Sequence, residues 1–349
     1  MTSLNLSLRT VTAVAIAAIL SQPLAGCSGA SSSLPSAVPA SPSSVHLDVP
    51  AAVNAKGSAA QRVNPDGGGQ QLFVSDNENN RVLVYNAAGT TQNPPATRTI
   101  TQGVVAPNGL ATDLSGNLYV ANYNNNTVTV YGKNASSPKM TLSSGLNGPW
   151  DVKVDGFGNV YVSNTPLSGA TNYIVEFPAG SSSPSTTWSA PQRNMEISGF
   201  TLLNATQQGQ TSIYALEYQL DGSGFATGGL LTCYPGPSTC TQLGGYSFGQ
   251  TGGITMVHSP GSVPFEFLAV DQYVPGVDDI TPGHSMTQQV TGGTPEFITL
   301  NSKATRLFVA DRFYGRVVEY SYPKKKQLNT FNSGGQTYGV AMTPSGNFH

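Results

Sequence analysis

Residues suited to acid–base or nucleophilic chemistry are few in this chain, which has four histidines and three cysteines among 349 residues. His258 and His284 fall in a stretch that also contains Glu266 and Asp278. A histidine beside a carboxylate suits general acid–base catalysis, but catalysis also needs a geometry that a sequence does not define. Neither a phosphate-binding loop nor a His-Glu-x-x-His zinc motif is present. We therefore predict no catalytic set.

A second candidate set occupies one position of a segment that recurs along the chain. Its members combine a carboxylate, an amide and two aromatic rings, which together suit a sugar or another small polar ligand. They are Asn108, Trp150, Ser198, Glu296 and Tyr338, and Gly252 occupies the same position in the remaining unit. The alternative interpretation is that these are ordinary turn and rim residues.

The first cysteine follows an export signal. Arg9 precedes an apolar run from Val11 to Leu20, which is too short to span a bilayer as a helix. The following tetrad, Leu24-Ala-Gly-Cys27, resembles the lipobox of bacterial lipoproteins. That resemblance implies a signal peptide at residues 1–26, lipidation of Cys27 and a location at the cell envelope, on the outer membrane or the outer face of the cell membrane. An ordinary signal peptide with a chance cysteine is the alternative.

The two other cysteines, Cys233 and Cys240, are separated by a short segment rich in turn-forming residues. Such a segment can bring them within disulfide range, and an oxidising compartment would preserve the bond. A metal site is the alternative, but no histidine lies between or beside them. We therefore predict a disulfide.

Composition limits the organisation and the partners of the chain. Residues 27–60 are rich in serine, alanine and proline, which predicts a flexible tether. Charged residues make up 10% of the chain, and its formal net charge is −2. Nothing in this charge suggests nucleic acid as a partner. The expected partners are the membrane, through the lipid anchor, and an extracytoplasmic protein or glycan, and the chain is expected to be monomeric.

A repeated unit of β-strands positions the candidate residues. Each unit shows β-forming residues, a small residue and then a polar anchor, and its strands alternate apolar with polar residues. The anchors are Asp76, Asn122, Asn164, Glu217, Asp271 and Asp311. Successive anchors lie 40 to 54 residues apart, which is the length of a propeller blade. Residues 61–349 therefore predict an all-β, six-bladed propeller, in which each anchor is expected to bind backbone amides of the following turn.

The two ends of this region complement each other. The segment Tyr338–Thr343 has the pattern of the first strand of a unit, but its own unit stops soon afterwards. The first unit, which contains Asp76, lacks a clear strand of that kind. We therefore expect the C-terminal strand to close blade 1, which would remove exposed strand edges. The stretch around Val63 is the alternative source of this strand.

Several units resemble a known family of repeats. Leu118–Tyr131 is similar to YVTN-type and NHL-type propeller repeats, and Val74–Val82 and Val309–Val317 resemble the NHL unit. The resemblance implies a propeller but no single activity, because the family includes protein-binding and RNA-binding modules, lyases and lactonase-like relatives. In such propellers the inner strands begin near the mouth of the central channel, where we therefore expect the second candidate set.

The segment Pro107-Asn-Gly109 resembles one in lactonase-like propellers, in which an asparagine helps to bind a divalent metal. A hard cation prefers several oxygen ligands, preferably carboxylates. Here Glu296 is the only acidic residue predicted for the ring, and Asp151 is expected to point away. We therefore expect no cofactor, and a divalent cation such as Ca²⁺ is the alternative.

The leading hypothesis is a non-enzymatic, surface-anchored propeller that binds a protein or glycan outside the cytoplasm. The alternative is a hydrolase or lyase at the channel mouth, which by resemblance would be lactonase-like or streptogramin-lyase-like, with or without a divalent metal. Long insertions around residues 207–210 and 221–242 are further places where function is expected, since long loops often carry it.

Overall fold

The computed structural model describes residues 70–87, 91–205, 210–220, 226–233, 238–257, 266–272, 275–280, 287–291, 293–324 and 326–343. All of them belong to the second of two compact units, Asn54–His349. Cys27, the predicted signal peptide and tether, His258 and His284 lie outside the described residues. Within the described ranges, no helix has the length and apolar character needed to cross a membrane.

The described residues form 24 strands, arranged as six antiparallel sheets of four strands each. The first eleven are β1 (Gln71–Asp76), β2 (Arg81–Asn86), β3 (Arg98–Ile100), β4 (Pro107–Thr112), β5 (Leu118–Asn122), β6 (Thr127–Tyr131), β7 (Pro138–Leu142), β8 (Pro149–Val154), β9 (Val160–Asn164), β10 (Tyr173–Phe177) and β11 (Thr186–Ser189). The others are β12 (Met195–Ala205), β13 (Gln210–Leu220), β14 (Ala226–Cys233), β15 (Thr241–Phe248), β16 (Thr251–Val257), β17 (Glu266–Asp271), β18 (Gly276–Ile280), β19 (Thr287–Thr291), β20 (Pro295–Leu300), β21 (Arg306–Asp311), β22 (Arg316–Ser321), β23 (Gln327–Asn332) and β24 (Val340–Thr343). A short 3₁₀ turn, Tyr123–Asn125, joins β5 to β6.

The six sheets are the blades of a closed propeller. Blades 2 to 6 are β4–β7, β8–β11, β12–β15, β16–β19 and β20–β23, whereas blade 1 has the order β24-β1-β2-β3. The first strand of each blade packs against the first strand of the next, and β20 packs against β24. In blade 1, Leu72 lies opposite Met342 and Val74 lies opposite Val340. The six-bladed propeller and its closure by the C-terminal strand are therefore confirmed.

The core lies between neighbouring blades, because each sheet buries apolar side chains on both faces. The third strand of blades 1 to 3 carries an aromatic residue at or next to its end: Tyr85, Tyr131 and Phe177 are each at most 1% exposed. Tyr131 also donates its hydroxyl hydrogen to the carbonyl of Gln102, at 2.7 Å. Burying a large ring with its polar tip satisfied explains why the repeat carries an aromatic residue at this position.

Most inner strands begin with a β-bulge. The register shifts between Pro107 and Leu110 in blade 2, and equivalent shifts occur in blades 3 to 6. A bulge bends the strand where it enters the channel wall. In blade 2 the bulge contains Gly109, and a Cβ there would lie 2.6 Å from the Cα of Asp151 on the next blade. Glycine therefore lets adjacent inner strands approach closely.

Two polar anchors bind an amide of the following turn, as expected: Asp76 Oδ1 accepts a hydrogen bond from Asn79 at 3.2 Å, and Asp311 Oδ1 accepts one from Tyr314 at 3.4 Å. Other anchors bind amides that precede the inner strand. Asn122 Oδ1 accepts a hydrogen bond from the Val105 amide at 2.9 Å, and Asn164 Oδ1 accepts one from the Asn147 amide at 2.8 Å. Both donors lie in the loop that enters the blade, not in the following turn. A fully buried amide thus fixes the connection between blades.

The predicted disulfide is present, with the Cα atoms of Cys233 and Cys240 4.4 Å apart. The residues before Cys240 form a parallel bridge with Ser189, the last residue of β11. Ser189 donates its amide hydrogen to Ser238 at 2.8 Å, and its carbonyl accepts one from Cys240 at 2.9 Å. The cross-linked segment of blade 4 therefore pairs with the outer edge of blade 3.

Candidate functional site at the channel mouth

Two members of the predicted set form an aromatic cluster where the inner strands begin. The rings of Trp150 and Tyr338 meet edge to face, with centroids 5.9 Å apart. Tyr123, from the turn after β5, meets Trp150 in the same manner at 5.6 Å. All three side chains are half-buried, so part of each faces solvent. We call Tyr123, Trp150 and Tyr338 the aromatic platform.

Glu296 lies below this surface, beside a guanidinium group. It is 2% exposed, and its Oε1 lies 2.9 Å from Arg312 Nη1. Its Oε2 accepts a hydrogen bond from Gln272 Nε2 at 2.7 Å. Burial raises the pKa of Glu296 to about 7, although the charge of Arg312 and the Gln272 hydrogen bond oppose this rise. Arg312 also stacks on Tyr338, 5.5 Å from the ring centroid, which links the buried carboxylate to the aromatic platform.

Asn108 and Ser198 are buried and bound to protein partners. Asn108 Oδ1 accepts a hydrogen bond from Asn77 Nδ2 at 2.9 Å. Ser198 Oγ lies 2.6 Å from Thr251 Oγ1 on the next blade. The structure thus places two of the five predicted residues, Trp150 and Tyr338, on the accessible surface and buries the other three.

A further ring of mouth residues, which was not predicted from the sequence, immediately follows the polar anchors. Four of them are Tyr123, Tyr218, Gln272 and Arg312. Tyr218 donates its hydroxyl hydrogen to Glu196 Oε2 at 2.5 Å, and burial, together with Glu196 and Glu296, raises the pKa of Tyr218. The sequence did contain a signal for these residues. Each one directly follows an anchor, at the point where the second strand of its blade reaches the channel mouth.

Below the mouth, a buried ion pair fills the central channel. Lys153 Nζ lies 2.7 Å from both carboxylate oxygens of Asp151. The same ammonium lies 5.6 Å from the Phe200 ring centroid and 5.8 Å from that of Phe297. Phe297 belongs to blade 6 and Lys153 to blade 3, on opposite sides of the ring, so the lysine side chain crosses the channel axis. The expectation that Asp151 points away is therefore wrong, because the glycine bulge of blade 2 makes room for its side chain.

Little space remains beyond this pair. Towards the far ends of the inner strands there is a cavity of about 20 Å³, bordered by Lys153, Thr112 and Thr299 among others. A volume of this size is close to that of a single water molecule. Burial raises the pKa of Asp151, and the adjacent ammonium opposes the rise. The Asp151–Lys153 pair therefore obstructs the channel below its mouth.

The residues at the mouth do not fit a divalent cation. Among the described residues, no group of three or more histidine, cysteine, aspartate or glutamate side chains is placed to hold a metal. The Oδ1 atom of Asn108 is bound by Asn77, and Glu296 is paired with Arg312. A cation at Glu296 would have to displace a guanidinium, and another carboxylate of the mouth, Glu196, accepts a hydrogen bond from Tyr218.

One short motif lies away from this site. Gly245-Tyr-Ser-Phe-Gly249 has the Gly-x-Ser-x-Gly pattern of a nucleophile elbow, which requires a sharp turn between a strand and a helix. Here the serine belongs to β15, the outermost strand of blade 4. The local structure is therefore not an elbow.

Comparison with solved structures identifies the architecture alone. No family model and no curated protein matches the chain. A chain of a nidogen/laminin complex is 14% identical with a TM-score of 0.56, covering 78% of this chain and 98% of its own. A protein of unknown function from Bacteroides caccae is 10% identical with a TM-score of 0.53, with the same coverage. A Bacteroides fragilis protein provisionally named a 6-phosphogluconolactonase is 12% identical with a TM-score of 0.50, covering 79% of this chain and 98% of its own. At such identities the likeness shows a β-propeller.

Proposed function

We propose that the protein is a non-enzymatic, envelope-anchored propeller that holds a protein or glycan partner outside the cytoplasm. The observation that carries this proposal is an accessible aromatic platform above an obstructed channel. Large, partly exposed rings supply contact area for a macromolecule at little entropic cost, whereas the buried Asp151–Lys153 pair obstructs the channel beneath them. The nidogen/laminin complex is a precedent in which a chain of similar fold is bound to another protein.

The attachment to the envelope is part of the same proposal. Lipidation of Cys27 would fix the N-terminus of the mature chain to a membrane, with residues 27–60 as the tether. A monomer would then present its mouth to neighbouring molecules of the envelope.

Retention of envelope components by the purified protein tests the proposal. Trp150→Ala removes the central ring of the aromatic platform and is expected to abolish specific retention of envelope protein or glycan. Phe157→Ala is the matched control, because Phe157 is 57% exposed in the turn between β8 and β9, at the opposite face. Retention that is equal in both variants, or absent from the wild-type protein, would show that the platform is not a binding surface.

A hydrolase or lyase at the mouth is the second candidate, and the state of Glu296 favours it. A buried carboxyl with a pKa raised to about 7 can donate or accept a proton near neutrality, as a general acid or base does. A screen of lactone, ester and polysaccharide substrates, with and without Ca²⁺, Mg²⁺ or Zn²⁺, tests this function. Turnover that Glu296→Gln abolishes would support it, and its absence across the screen would leave the binding function.

A further inference from the structure

A surface groove runs between blades 6 and 1 and shares Arg312 and Tyr338 with the channel mouth. It has a volume of about 590 Å³, within the range of small-ligand sites. Its walls are the turn after Asp311 and the segment that leads into β24. Its lining includes Glu78, Arg312, Tyr314, Gly315, Gln336 and Tyr338, and we call it the blade 6–1 groove.

Glycines make the floor of this groove bare. Gly315 has a φ of +58°, and a Cβ on it would collide with the carbonyl oxygen of Gly335. A Cβ on Gly335 would in turn collide with the carboxylate of Asp76. The two segments therefore approach too closely for a Cβ at either glycine, and Ser333 Oγ donates hydrogen bonds to the carbonyls of Gly315 and Gly335 at 2.9 and 2.7 Å.

Aromatic rings flank the floor. Tyr314 is 58% exposed and Phe313 is 76% exposed, and the two rings meet edge to face at 5.1 Å. Tyr338 lines the groove as well and is shared with the aromatic platform. Exposed rings beside a bare floor suit a ligand with a flat apolar face, since such a face can stack on an aromatic ring.

The charges around the groove argue against an ionic ligand. Three arginines are matched by carboxylates: Arg81 lies 2.7 Å from Asp76, Arg316 lies 3.1 Å from Asp311, and Arg312 is paired with Glu296. Glu78 adds an exposed carboxylate, which disfavours anions. Cations are disfavoured because a cation on either ring would meet a guanidinium group, with Arg316 4.6 Å from the Tyr314 centroid and Arg312 5.5 Å from the Tyr338 centroid.

We infer that the blade 6–1 groove binds a neutral saccharide. A pyranose ring has an apolar C–H face that can stack on Tyr314 or Tyr338 and a rim of hydroxyl groups. Gln336 and the exposed edge of the Arg312 guanidinium offer hydrogen-bond partners for those hydroxyls. This inference rests on the proposed function and specifies the glycan partner within it.

The test uses the full-length protein and an array of neutral, uronic-acid and amino-sugar glycans. The strongest neutral binder is then titrated by calorimetry against four proteins: wild type, Tyr314→Ala, Tyr314→Trp and Phe157→Ala. We expect neutral glycans to be preferred and Tyr314→Ala to weaken binding about tenfold, since it removes one stacking surface. Tyr314→Trp keeps a stacking ring and should bind within about twofold of wild type, as should Phe157→Ala. Thermal unfolding of each variant verifies that it is folded.

The outcomes separate this inference from the proposed function. Binding of acidic or cationic glycans only, of no glycan, or of neutral glycans equally by Tyr314→Ala, would overturn the inference. If no glycan binds but an envelope protein is still retained and lost with Trp150→Ala, the proposed function stands and the groove assignment fails. If nothing from the envelope or the array binds, both fail.

Discussion

At the scale of single residues, the position of Asp151 depends on the absence of a side chain on the adjacent inner strand. The equivalent bulge position carries glycine in four blades and Phe297 in blade 6. Gly109, on the adjacent inner strand, is one of these glycines, and a Cβ there would lie 2.6 Å from Asp151 Oδ1. Strand alternation alone cannot predict an ion pair in the channel, because the space for it is created by a residue on another blade.

Removing one partner of this pair should be costly. Lys153→Met leaves the carboxylate of Asp151 buried without a counter-charge, so we expect the free energy of unfolding to fall by about 3–5 kcal/mol. Urea denaturation followed by tryptophan fluorescence measures the change. The double variant Asp151→Asn/Lys153→Met is the control and should recover most of the loss, since neither member is then charged. Equal destabilisation of the single and double variants would show that the two groups are not coupled.

Glu217 makes stability depend on pH. Its Oε1 accepts a hydrogen bond from Gln242 at 3.1 Å, whereas no hydrogen-bond partner is found for its buried Oε2 in the described region. Burial raises the pKa of Glu217 from 4.5 to about 7, although the Gln242 hydrogen bond opposes the rise. The folded protein therefore holds a proton that the unfolded chain releases, so the stability that this group contributes is highest below pH 4.5 and is lost as the pH rises through about 7.

Glu217→Gln removes this titration. We expect the stability of the variant relative to wild type to rise by about 1–3 kcal/mol between pH 5 and pH 8, measured by urea denaturation. The same substitution at the exposed Glu78 is the control and should leave the difference from wild type constant with pH. A constant difference for Glu217→Gln as well would mean that its carboxyl is not protonated in the folded state at pH 5.

At the scale of strands, the sequence predicts the blades well and the mouth only in part. The anchors, the buried third-strand aromatics and the inner-strand openings recur because every blade needs them for packing, so their spacing reveals the fold. The outermost strands recur weakly, since they are short and half exposed, as in the Pro138–Leu142 strand of blade 2. The residues after the anchors vary from blade to blade. That variability hid Tyr218, Gln272 and Arg312, although it is expected of positions freed from packing.

The C-terminal strand should control whether the ring closes. Deletion of residues 340–349 removes Val340 and Met342 from the core and leaves β1 without its inner neighbour. We expect the shortened protein to melt at a much lower temperature and to aggregate, because an unpaired strand edge is exposed. Deletion of residues 344–349 is the control and should preserve the melting temperature, since it spares β24. Equal melting temperatures for both deletions would show that β24 is dispensable. A synthetic peptide covering residues 336–349 should raise the melting temperature of the protein that lacks residues 340–349.

At the scale of the whole molecule, opposite ends of the chain have different tasks. The C-terminal strand β24 completes blade 1 and closes the ring. The mouth, with its aromatic platform and the blade 6–1 groove, must remain accessible if it is to hold a partner. Under the proposed function the anchor is Cys27, which lies far in sequence from both β24 and the residues of the mouth.

Substitution of Cys27 tests this arrangement directly. Cys27→Ala removes the thiol on which an acyl group would be placed, so the protein should leave the detergent phase in Triton X-114 partitioning and appear in the aqueous phase. The wild-type protein should stay with the detergent and show the added mass of its acyl chains, because two or three chains anchor a protein stably where a single chain does not. Ser28→Ala is the matched control, since it alters the neighbouring residue and keeps the thiol, and it should partition like wild type. If Cys27→Ala still partitions into detergent, another part of the chain binds the membrane. The proposed lipid anchor at Cys27 would then have to be abandoned.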